Sequence, residues 1–380
     1  MTVVEAVAER VARFGSLRFD EFVELALYHQ PDGFFAGGGG AGRAGADFLT
    51  SPEVGPLFGA VVANYLDAVW VDLGRPDPFV VVEAAAGRGA LAIAVLAAAP
   101  ECARALRYVL VERSEVLRAR QSEHLPLGAP FEILGPSVDP EDPVPSPTEG
   151  TGPLLCSLEE LPSEPVDGVV LANELLDNVP FRLFERVAGT WHEVRVTLEG
   201  DQLVELLVVA EADVTARLSA LAPDAVDGAR VPLQQGAVEW LADALGVVRD
   251  GAVLVVDYAD TTPSLAARPQ ADWLRTYVHH GRGGSPLEQP GRQDVTCEVA
   301  VDQLARLRAP SNSTTQADWL RQHGIEALVD DGRRRDGERR REGHGQRYGG
   351  RANADEGRGG GRARGRGELD ERAVGEEAER

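Results

Sequence analysis

The 380-residue chain contains no lysine, and all 38 of its basic residues are arginine. This absence excludes every mechanism that depends on a catalytic lysine, such as Schiff-base formation. Positive charge is also scarce, because 61 acidic residues leave a formal net charge of −23. A polyanion gains no attraction to a nucleic acid or to an anionic lipid surface. We therefore expect neither nucleic acid nor membrane as a main partner.

Cysteine is scarce as well, with three residues that lie far apart (Cys102, Cys156 and Cys297). Their spacing fits neither a metal site nor a disulfide framework, which suits a reducing compartment and predicts no resident metal. No uncharged apolar run reaches the roughly 18 residues of a membrane span. The first 14 residues have apolar positions at helical spacing and carry acids, unlike a signal or transit peptide. A cytoplasmic protein is the expectation, and a homodimer remains open.

The order of the segments predicts an α/β fold. Residues 1–78 are interpreted as an N-terminal region of helices and a glycine-rich loop. From residue 79 short apolar strands alternate with helices, and the strands are expected at 79–83, 107–112, 168–173 and 252–258. Such strands are typical of a parallel sheet that is covered on both faces. An insertion at about 185–247 is expected to form a β-hairpin within 190–210 and helix over 213–247.

The composition changes near residue 331. Of the 50 residues in 331–380, 14 are arginine, 12 are acidic and only 8 are hydrophobic. A segment with so few apolar side chains cannot form a core. We therefore predict a disordered tail over 331–380, after a catalytic domain at 79–330.

A glycine loop follows the first strand and reads "EAAAGRGALA" over residues 83–92. Gly87 and Gly89 permit a tight turn and a close approach of the backbone to a ligand. The pattern G-x-G-x-x-A, with Glu112 at the end of the next strand, also fits the dinucleotide fingerprint and leaves a nicotinamide-dependent oxidoreductase open. Glu83, however, would repel a pyrophosphate and attract the cationic S-adenosylmethionine. Glu112 can accept hydrogen bonds from both ribose hydroxyls, although both acids could instead be plain strand ends.

Five ordered segments resemble the MidA family of class I methyltransferases, which includes the mitochondrial complex I assembly factor that methylates protein arginine. These are "YHQPDGFF" (28–35), "ADFLTSPEVGPLFG" (46–59), "ANELLDNVPFRLF" (172–184), "LRTYVHHGRGGSPLEQPGRQDVTCEVAVD" (274–302) and "TTQADWLRQHGI" (314–325). The resemblance implies a Rossmann-like, mostly parallel sheet with an N-terminal helical lid and an insertion between strands four and five. It implies S-adenosyl-L-methionine as cofactor and a protein arginine as methyl acceptor. The charged tail stands where the family has its C-terminal strand, so that strand is expected to be missing.

The resemblance also assigns candidate site residues. A cofactor role is implied for Glu83, Ala85, Gly87, Gly89, Glu112 and the segment Thr50, Ser51, Pro52 and Glu53. That segment also fits a helix capping box without any function. Asn173, Glu174 and Asp177 are implied as catalytic residues, because two acids three positions apart on a helical turn could grip one guanidinium. The alternative for Asn173 is a helix N-cap, with the acids favoured by the helix dipole.

Ala85 occupies a position where the family usually has glycine, which leaves a non-catalytic alternative open. In that interpretation the chain is a decayed methyltransferase that serves as a binding or assembly protein. The methyl group of Ala85 is expected to hamper the cofactor or to force an unfavourable backbone angle.

Overall fold

The structure is a computed structural model that describes residues 1–37, 56–135, 149–278 and 281–334. Its helices are α1 (Val3–Phe14), α2 (Phe19–Tyr28), α3 (Pro56–Asp72), α4 (Ala90–Ala97), α5 (Glu115–Gln121), α6 (Pro130–Leu134), α7 (Ala212–Leu221), α8 (Gln235–Val247), α9 (Thr262–Ala267), α10 (Gln270–Trp273), α11 (Val301–Leu307) and α12 (Gln316–Gln322). Its strands are β1 (Leu17–Arg18), β2 (Phe79–Ala84), β3 (Leu106–Val111), β4 (Leu154–Leu158), β5 (Val166–Asn173), β6 (Arg182–Val187), β7 (Thr190–Glu199), β8 (Gln202–Val209), β9 (Arg230–Leu233), β10 (Val248–Val256), β11 (Ala259–Asp260), β12 (Leu274–Val278), β13 (Gly281–Arg282), β14 (Asp294–Cys297) and β15 (Val299–Ala300). None of the described helices has both the length and the apolar character that crossing a membrane requires.

A parallel five-stranded sheet in the order β10-β5-β2-β3-β4 forms the centre of the fold. Alternate residues of β2 face opposite sides, so that Val81 joins one core cluster and Val82 joins another. Helices α3, α4 and α12 contribute to the first cluster, and α6 and α8 to the second. This arrangement confirms the predicted α/β fold with helices on both faces of the sheet. Strand β4 was not predicted from the sequence, which indicated only a proline-rich connection between the second and the next predicted strand.

The insertion between β5 and β10 forms a second sheet. Strands β6, β7 and β9 pair antiparallel, β8 forms a hairpin with β7, and β1 joins from the N-terminus. The predicted hairpin within 190–210 is therefore present. The prediction of continuous helix over 213–247 is wrong in its middle, where β9 separates α7 from α8. Strand β9 contains Pro232 and pairs only with β6 within the described chain, and an edge strand tolerates proline because one side of it makes no ladder bonds.

The N-terminal helices pack against this second sheet. One core cluster combines Phe19 and Phe22 of α2 with Phe181 and with Val194 of β7. The rings of Phe19 and Phe181 lie 5.4 Å apart. Helix α2 is thereby fixed beside the carboxyl ends of the parallel strands, where ligands of open α/β sheets bind.

The chain divides into a compact unit over Met1–Val329 and a second unit over Asp330–Arg380. Of the second unit the structure describes only residues 330–334, and residues 331–334 are helical. The predicted disorder is therefore wrong for residues 331–334, and from residue 335 onward it falls on residues outside the described ones and stays a prediction. The predicted loss of a C-terminal sheet strand and the domain limits at 1–78 and 79–330 also stay predictions.

Candidate active site

A cavity of about 940 Å³ opens at the carboxyl edge of the parallel sheet. Its walls come from the ends of β2, β3 and β5, from the residues after β4, and from α8. Of the predicted cofactor residues, Glu83, Ala85, Gly87 and Glu112 line this cavity. The strand ends thus bring together residues that are up to 29 positions apart in the sequence.

Glu83 is the buried acid of this cavity. Its side chain is 5% exposed, and the Tyr108 hydroxyl donates a 2.7 Å hydrogen bond to its Oε2. Burial raises the pKa of Glu83 to about 8, and the bond from Tyr108 opposes this rise only in part. Without a cation in the cavity, Glu83 is therefore mostly protonated at neutral pH. A cation such as a sulfonium or an ammonium would favour its ionised form.

The loop after β2 has an unusual backbone. Ala85 has φ +55°, and Gly87 and Gly89 have φ +54° and +83°. A left-handed conformation is ordinary for glycine but costs an alanine roughly 1 kcal/mol. Ala85 thus adopts the backbone conformation that glycine would favour, which agrees with the expected unfavourable angle. Gly89 lies outside the cavity lining, because a Cβ there would point at Leu125 at 2.6 Å.

Two buried side chains hold this loop in place. Glu112 is 8% exposed, and its Oε2 accepts a 2.9 Å bond from the Gly87 N–H while its Oε1 accepts a 2.7 Å bond from the Ser114 N–H. Gln121, which is fully buried, donates to the Gly87 carbonyl at 2.8 Å. Burial raises the pKa of Glu112, and the two backbone donors counteract the rise. Each carboxylate oxygen of Glu112 has a further lone pair, which can accept from a hydroxyl in the cavity.

Other parts of the cavity wall come from residues that the sequence reasoning did not single out. Tyr28 and Phe35 extend from the N-terminal region, and their stacked rings lie 5.6 Å apart. The Tyr28 hydroxyl donates to the Asn178 carbonyl at 3.2 Å, and the Arg113 guanidinium lies 4.3 Å from the Tyr28 ring centre. Both aromatic residues belong to the "YHQPDGFF" segment (28–35), and its resemblance to the family is the sequence feature from which their position in the site could have been predicted. Residues 159–163, after the unpredicted β4, form another wall.

Asn173 ends β5 and lines the same cavity. Its Oδ1 is buried and accepts no hydrogen bond from the described protein atoms. A buried carbonyl oxygen without a donor is costly, so it indicates a donor on a ligand. The predicted alternative, a helix N-cap formed by Asn173, is not observed, because the Asn173 Oδ1 accepts no bond from the described part of the short turn that follows and Leu175 stands at the N-cap position.

A second cavity of about 260 Å³ adjoins the first. Glu174 and Asn178 line both cavities. The second cavity is otherwise lined by acids, by aromatic rings and by two further polar residues: Asp177, Asp294 and Glu298; Tyr258, Trp273 and Tyr277; Arg275 and Thr296. Among the described residues of this lining, Arg275 is the only cation, and it donates to Glu298 at 2.6 Å and is thereby neutralised. The described lining of the second cavity is thus acidic.

The three predicted catalytic residues are divided between the cavities. Asn173 faces the first, Asp177 faces the second, and Glu174 lies where they meet. Glu174 has φ +52°, a strained conformation that is typical of functional sites. Asp177 is 6% exposed, and no described atom forms a hydrogen bond with its Oδ1. Burial, followed by the charges of Asp257, Asp294 and Glu174, raises the pKa of Asp177 far above its ordinary value.

Some predicted residues cannot be placed. Thr50, Ser51, Pro52 and Glu53 lie outside the described residues, so their cofactor role stays a prediction. Within the described ranges, no group of three or more His, Cys, Asp or Glu side chains is arranged to hold a metal ion.

The large cavity fits S-adenosyl-L-methionine. The ligand has two cationic groups and two ribose hydroxyls, and the cavity offers Glu83 for a cation and Glu112 for hydroxyls. The unpartnered Oδ1 of Asn173 can accept from an amino group. The open space above Gly87 lets a ligand lie on the loop, since a Cβ there would meet nothing within 4 Å. A dinucleotide pyrophosphate would instead face two carboxylates.

Known proteins resemble this chain over most of its length. A family model described as an S-adenosyl-L-methionine-dependent methyltransferase matches residues 61–317. The mitochondrial protein arginine methyltransferase NDUFAF7 homologue of Drosophila melanogaster is 27% identical over 315 residues, which cover 78% of this chain and 68% of that protein. NDUFAF7 of Danio rerio is 26% identical over 348 residues, which cover 86% of this chain and 78% of that protein.

A solved structure agrees with these relatives. The crystal structure of a COG1565 superfamily member from Burkholderia thailandensis bound to S-adenosyl-homocysteine has a TM-score of 0.72 and 27% identity. The match covers 87% of this chain and 82% of that chain. The comparisons support a methyltransferase over a nicotinamide-dependent enzyme. Together with the fit of the cavity, they show that the chain belongs to the MidA (COG1565) family of enzymes that use S-adenosyl-L-methionine as methyl donor.

Proposed function

We propose that this methyltransferase transfers the methyl group to an arginine side chain of a protein. The observation that carries the proposal is the shared position of Glu174 and Asn178 in both cavities. A group held in the acidic second cavity would lie next to the methyl donor in the first. The printed names of the relatives, which are protein arginine methyltransferases, support the same acceptor.

The second cavity has the chemistry that a guanidinium requires. A guanidinium offers five N–H donors in a planar fork, and carboxylates are its preferred partners. Glu174, Asp177, Tyr258 and Tyr277 all line the second cavity, so carboxyl groups and aromatic rings are both available to a guanidinium there.

Bound S-adenosyl-L-methionine supplies a methyl group on a positively charged sulfur. In the first cavity Glu83, Asn173 and Glu112 would hold the donor and fix its orientation. In the second cavity Glu174 and Asp177 would align one guanidinium nitrogen with the methyl carbon, because in-line displacement depends on this alignment. The attacking nitrogen would form a bond to the methyl carbon while the carbon–sulfur bond breaks and the neutral thioether S-adenosyl-L-homocysteine leaves. The nitrogen would lose one proton, and the carboxylate of Glu174, which lines both cavities, would accept it.

The acceptor is tested by methyl transfer to a mixture of cellular proteins with isotopically labelled donor, followed by complete hydrolysis and amino-acid analysis. We expect the label in methylarginine. The isosteric variant Glu174→Gln should lower incorporation at least 100-fold, since it removes the charge that aligns and deprotonates the nucleophile. Its dissociation constant for S-adenosyl-L-homocysteine should stay within about threefold of the wild type. Label in lysine or in another residue, with none in arginine, would refute the proposed acceptor.

A further inference from the structure

Asp257 follows β10 directly at the carboxyl edge of the parallel sheet. Strand β10 pairs in parallel with β5, with Val256 opposite Asn173. The Glu174 N–H continues this ladder with a 2.9 Å bond to the Val256 carbonyl. This register places Asp257 beside the segment that carries Glu174 and Asp177.

The Asp257 carboxylate binds three backbone donors. Its Oδ2 accepts from the Leu176 N–H at 2.9 Å and from the Asp177 N–H at 3.3 Å. Its Oδ1 accepts from the Tyr258 N–H at 2.8 Å. The first two donors begin the 3₁₀ turn Leu176–Asn178, and a turn of this length leaves its first N–H groups without internal partners. Asp257 thus caps the turn from a different strand.

The capped turn determines where Asp177 lies. Asp177 lines the second cavity and is only 6% exposed, and its buried Oδ1 has no hydrogen-bond partner among the described residues. The side chain of Asn178, the last residue of the turn, donates to Asp294 Oδ1 at 2.9 Å. If the turn loosened, both Asp177 and the contact to Asp294 would shift.

We propose that Asp257 is a positioning residue for the methyl acceptor, and that its carboxylate must be ionised to hold the Leu176–Asn178 turn in the arrangement that binds the acceptor. The proposal rests on the proposed function, because it takes the second cavity as the acceptor site. Its physical basis is the strength of the three hydrogen bonds. Bonds from backbone N–H groups to an ionised carboxylate are charge-assisted and roughly twice as strong as bonds to a neutral acceptor. Protonation of Asp257 would therefore weaken its bonds to the Leu176, Asp177 and Tyr258 N–H groups.

The proton equilibrium of Asp257 falls in the physiological range. Burial raises its pKa to about 7, and the three backbone donors limit the rise. The titratable groups that face it are Glu174 and Asp177 on the β5 side and Cys297 on β14. Burial raises the pKa of the Cys297 thiol further, so it stays neutral, and Arg275 of β12 is directed to Glu298. Because Asp257 and Asp177 interact, the proton equilibria belong to the pair, and a rise in pH favours the ionised form of Asp257.

Two variants separate this role from a general structural one. Asp257→Asn keeps the shape, removes the charge and replaces one acceptor oxygen by an NH₂ donor. Asp260→Asn is the matched control, because Asp260 likewise accepts from the next backbone N–H, that of Thr261, at 2.7 Å. The other oxygen of Asp260 binds Ser264 and Arg268 and not the 176–178 turn.

The first measurement is calorimetric binding of Nα-acetyl-L-arginine amide to protein saturated with S-adenosyl-L-homocysteine, at pH 6 and pH 8. Because only the ionised form is competent, the wild type and Asp260→Asn should bind several-fold more tightly at pH 8 than at pH 6. Asp257→Asn should bind several-fold more weakly than the wild type at pH 8, and its affinity should change less between the two pH values, because only Asp177 of the interacting pair still titrates. If Asp257→Asn binds at pH 8 like the wild type, or if its affinity changes with pH as strongly as that of the wild type, the proposal is overturned.

The second measurement is amide hydrogen exchange of Leu176 and Asp177 in the same complex without the arginine probe, corrected for the intrinsic pH dependence. In the wild type both amides should be less protected at pH 6 than at pH 8, and in Asp257→Asn they should be poorly protected at both. Protection that does not change with pH in the wild type would overturn the proposal even if the variant fails to fold. Failure of the arginine probe to bind, with the expected exchange pattern, would refute the arginine acceptor and leave the role of Asp257 in the turn supported.

Discussion

Replacing Glu83 with glutamine should stabilise the protein without cofactor, and the gain should grow with pH. Glu83 is buried beside Tyr108, and its pKa rises from an ordinary 4.5 to about 8. The folded protein therefore binds a proton that the unfolded chain releases above about pH 4.5. For an acid with a raised pKa, the free energy of unfolding falls as pH rises from the unfolded value to the folded value.

The magnitude follows from the size of this shift. One pKa unit corresponds to about 1.4 kcal/mol. At pH 7 the raised pKa of Glu83 therefore lowers the free energy of unfolding by about 3 kcal/mol. Glutamine carries no proton equilibrium, and its amide can still exchange a hydrogen bond with the Tyr108 hydroxyl. Glu83→Gln should thus unfold like the wild type near pH 4.5 and should be up to about 3 kcal/mol more stable at pH 7.

Urea unfolding of the protein without cofactor between pH 4.5 and pH 8 measures this difference. The matched control is Glu193→Gln, because Glu193 is equally buried but forms ion pairs with Arg182 at 2.6 Å and with Arg195 at 2.7 Å. Removing its charge leaves two cations without their partner, so this variant should be less stable at neutral pH. A Glu83→Gln protein that is no more stable than the wild type at pH 7, or whose difference does not vary with pH, would show that Glu83 is ionised in the empty cavity.

Because Glu83 is protonated in the empty cavity, cofactor binding should be coupled to the release of a proton. A cation beside Glu83 favours the carboxylate, so binding of S-adenosyl-L-methionine should release a proton from Glu83 at pH 7. Calorimetry in two buffers of different ionisation enthalpy should detect this release in the wild type and a smaller one in Glu83→Gln. Equal proton release by the two proteins would contradict the assignment of the cationic groups to Glu83.

Two further predictions concern the loop and the ribose. Ala85→Gly should raise the free energy of unfolding by roughly 1 kcal/mol, because it relieves a left-handed alanine, and it should bind S-adenosyl-L-homocysteine at least as tightly as the wild type, because it removes a methyl group from the cavity lining; weaker binding in a calorimetric titration would mean that the methyl group packs favourably on the ligand. Glu112→Ala should weaken the same binding at least tenfold, because it removes the acceptor for two hydroxyls and the anchor of the Gly87 N–H; an unchanged dissociation constant in a variant that retains its circular dichroism spectrum would refute both roles.

The sequence was sufficient to predict the parallel sheet where its strands are continuous apolar runs. The residues of β2 are buried throughout, and such a run is typical of a strand covered on both faces. Strand β4 was missed because its five residues follow a proline-rich stretch and include Ser157. Strand β9 was missed because Pro232 argues against a strand unless its edge position is known.

The two cavities differ in how far the sequence could predict them. Glu83 and Glu112 each end a predicted strand, and the carboxyl ends of parallel strands meet at one edge, so their proximity followed from the fold. Asp294 and Tyr277 lie on short strands that pair with each other about 100 residues after Glu174. No periodicity relates these segments to β5, so the acidic second cavity depends on tertiary packing alone.

Glu174 has a consequence for which residues could replace it. Its φ of +52° is a conformation that glycine adopts freely and that asparagine and aspartate tolerate better than a longer side chain does. Glycine, asparagine or aspartate at this position would thus suit the backbone better, but each would end at least one methylene short of the carboxyl position of glutamate. Glutamate at this position has a less favourable backbone conformation, but its longer side chain places the carboxylate at the junction of the two cavities. Glu174→Asp separates the two properties, since it retains the charge and eases the backbone while withdrawing the carboxylate by about 1.5 Å, one carbon–carbon bond.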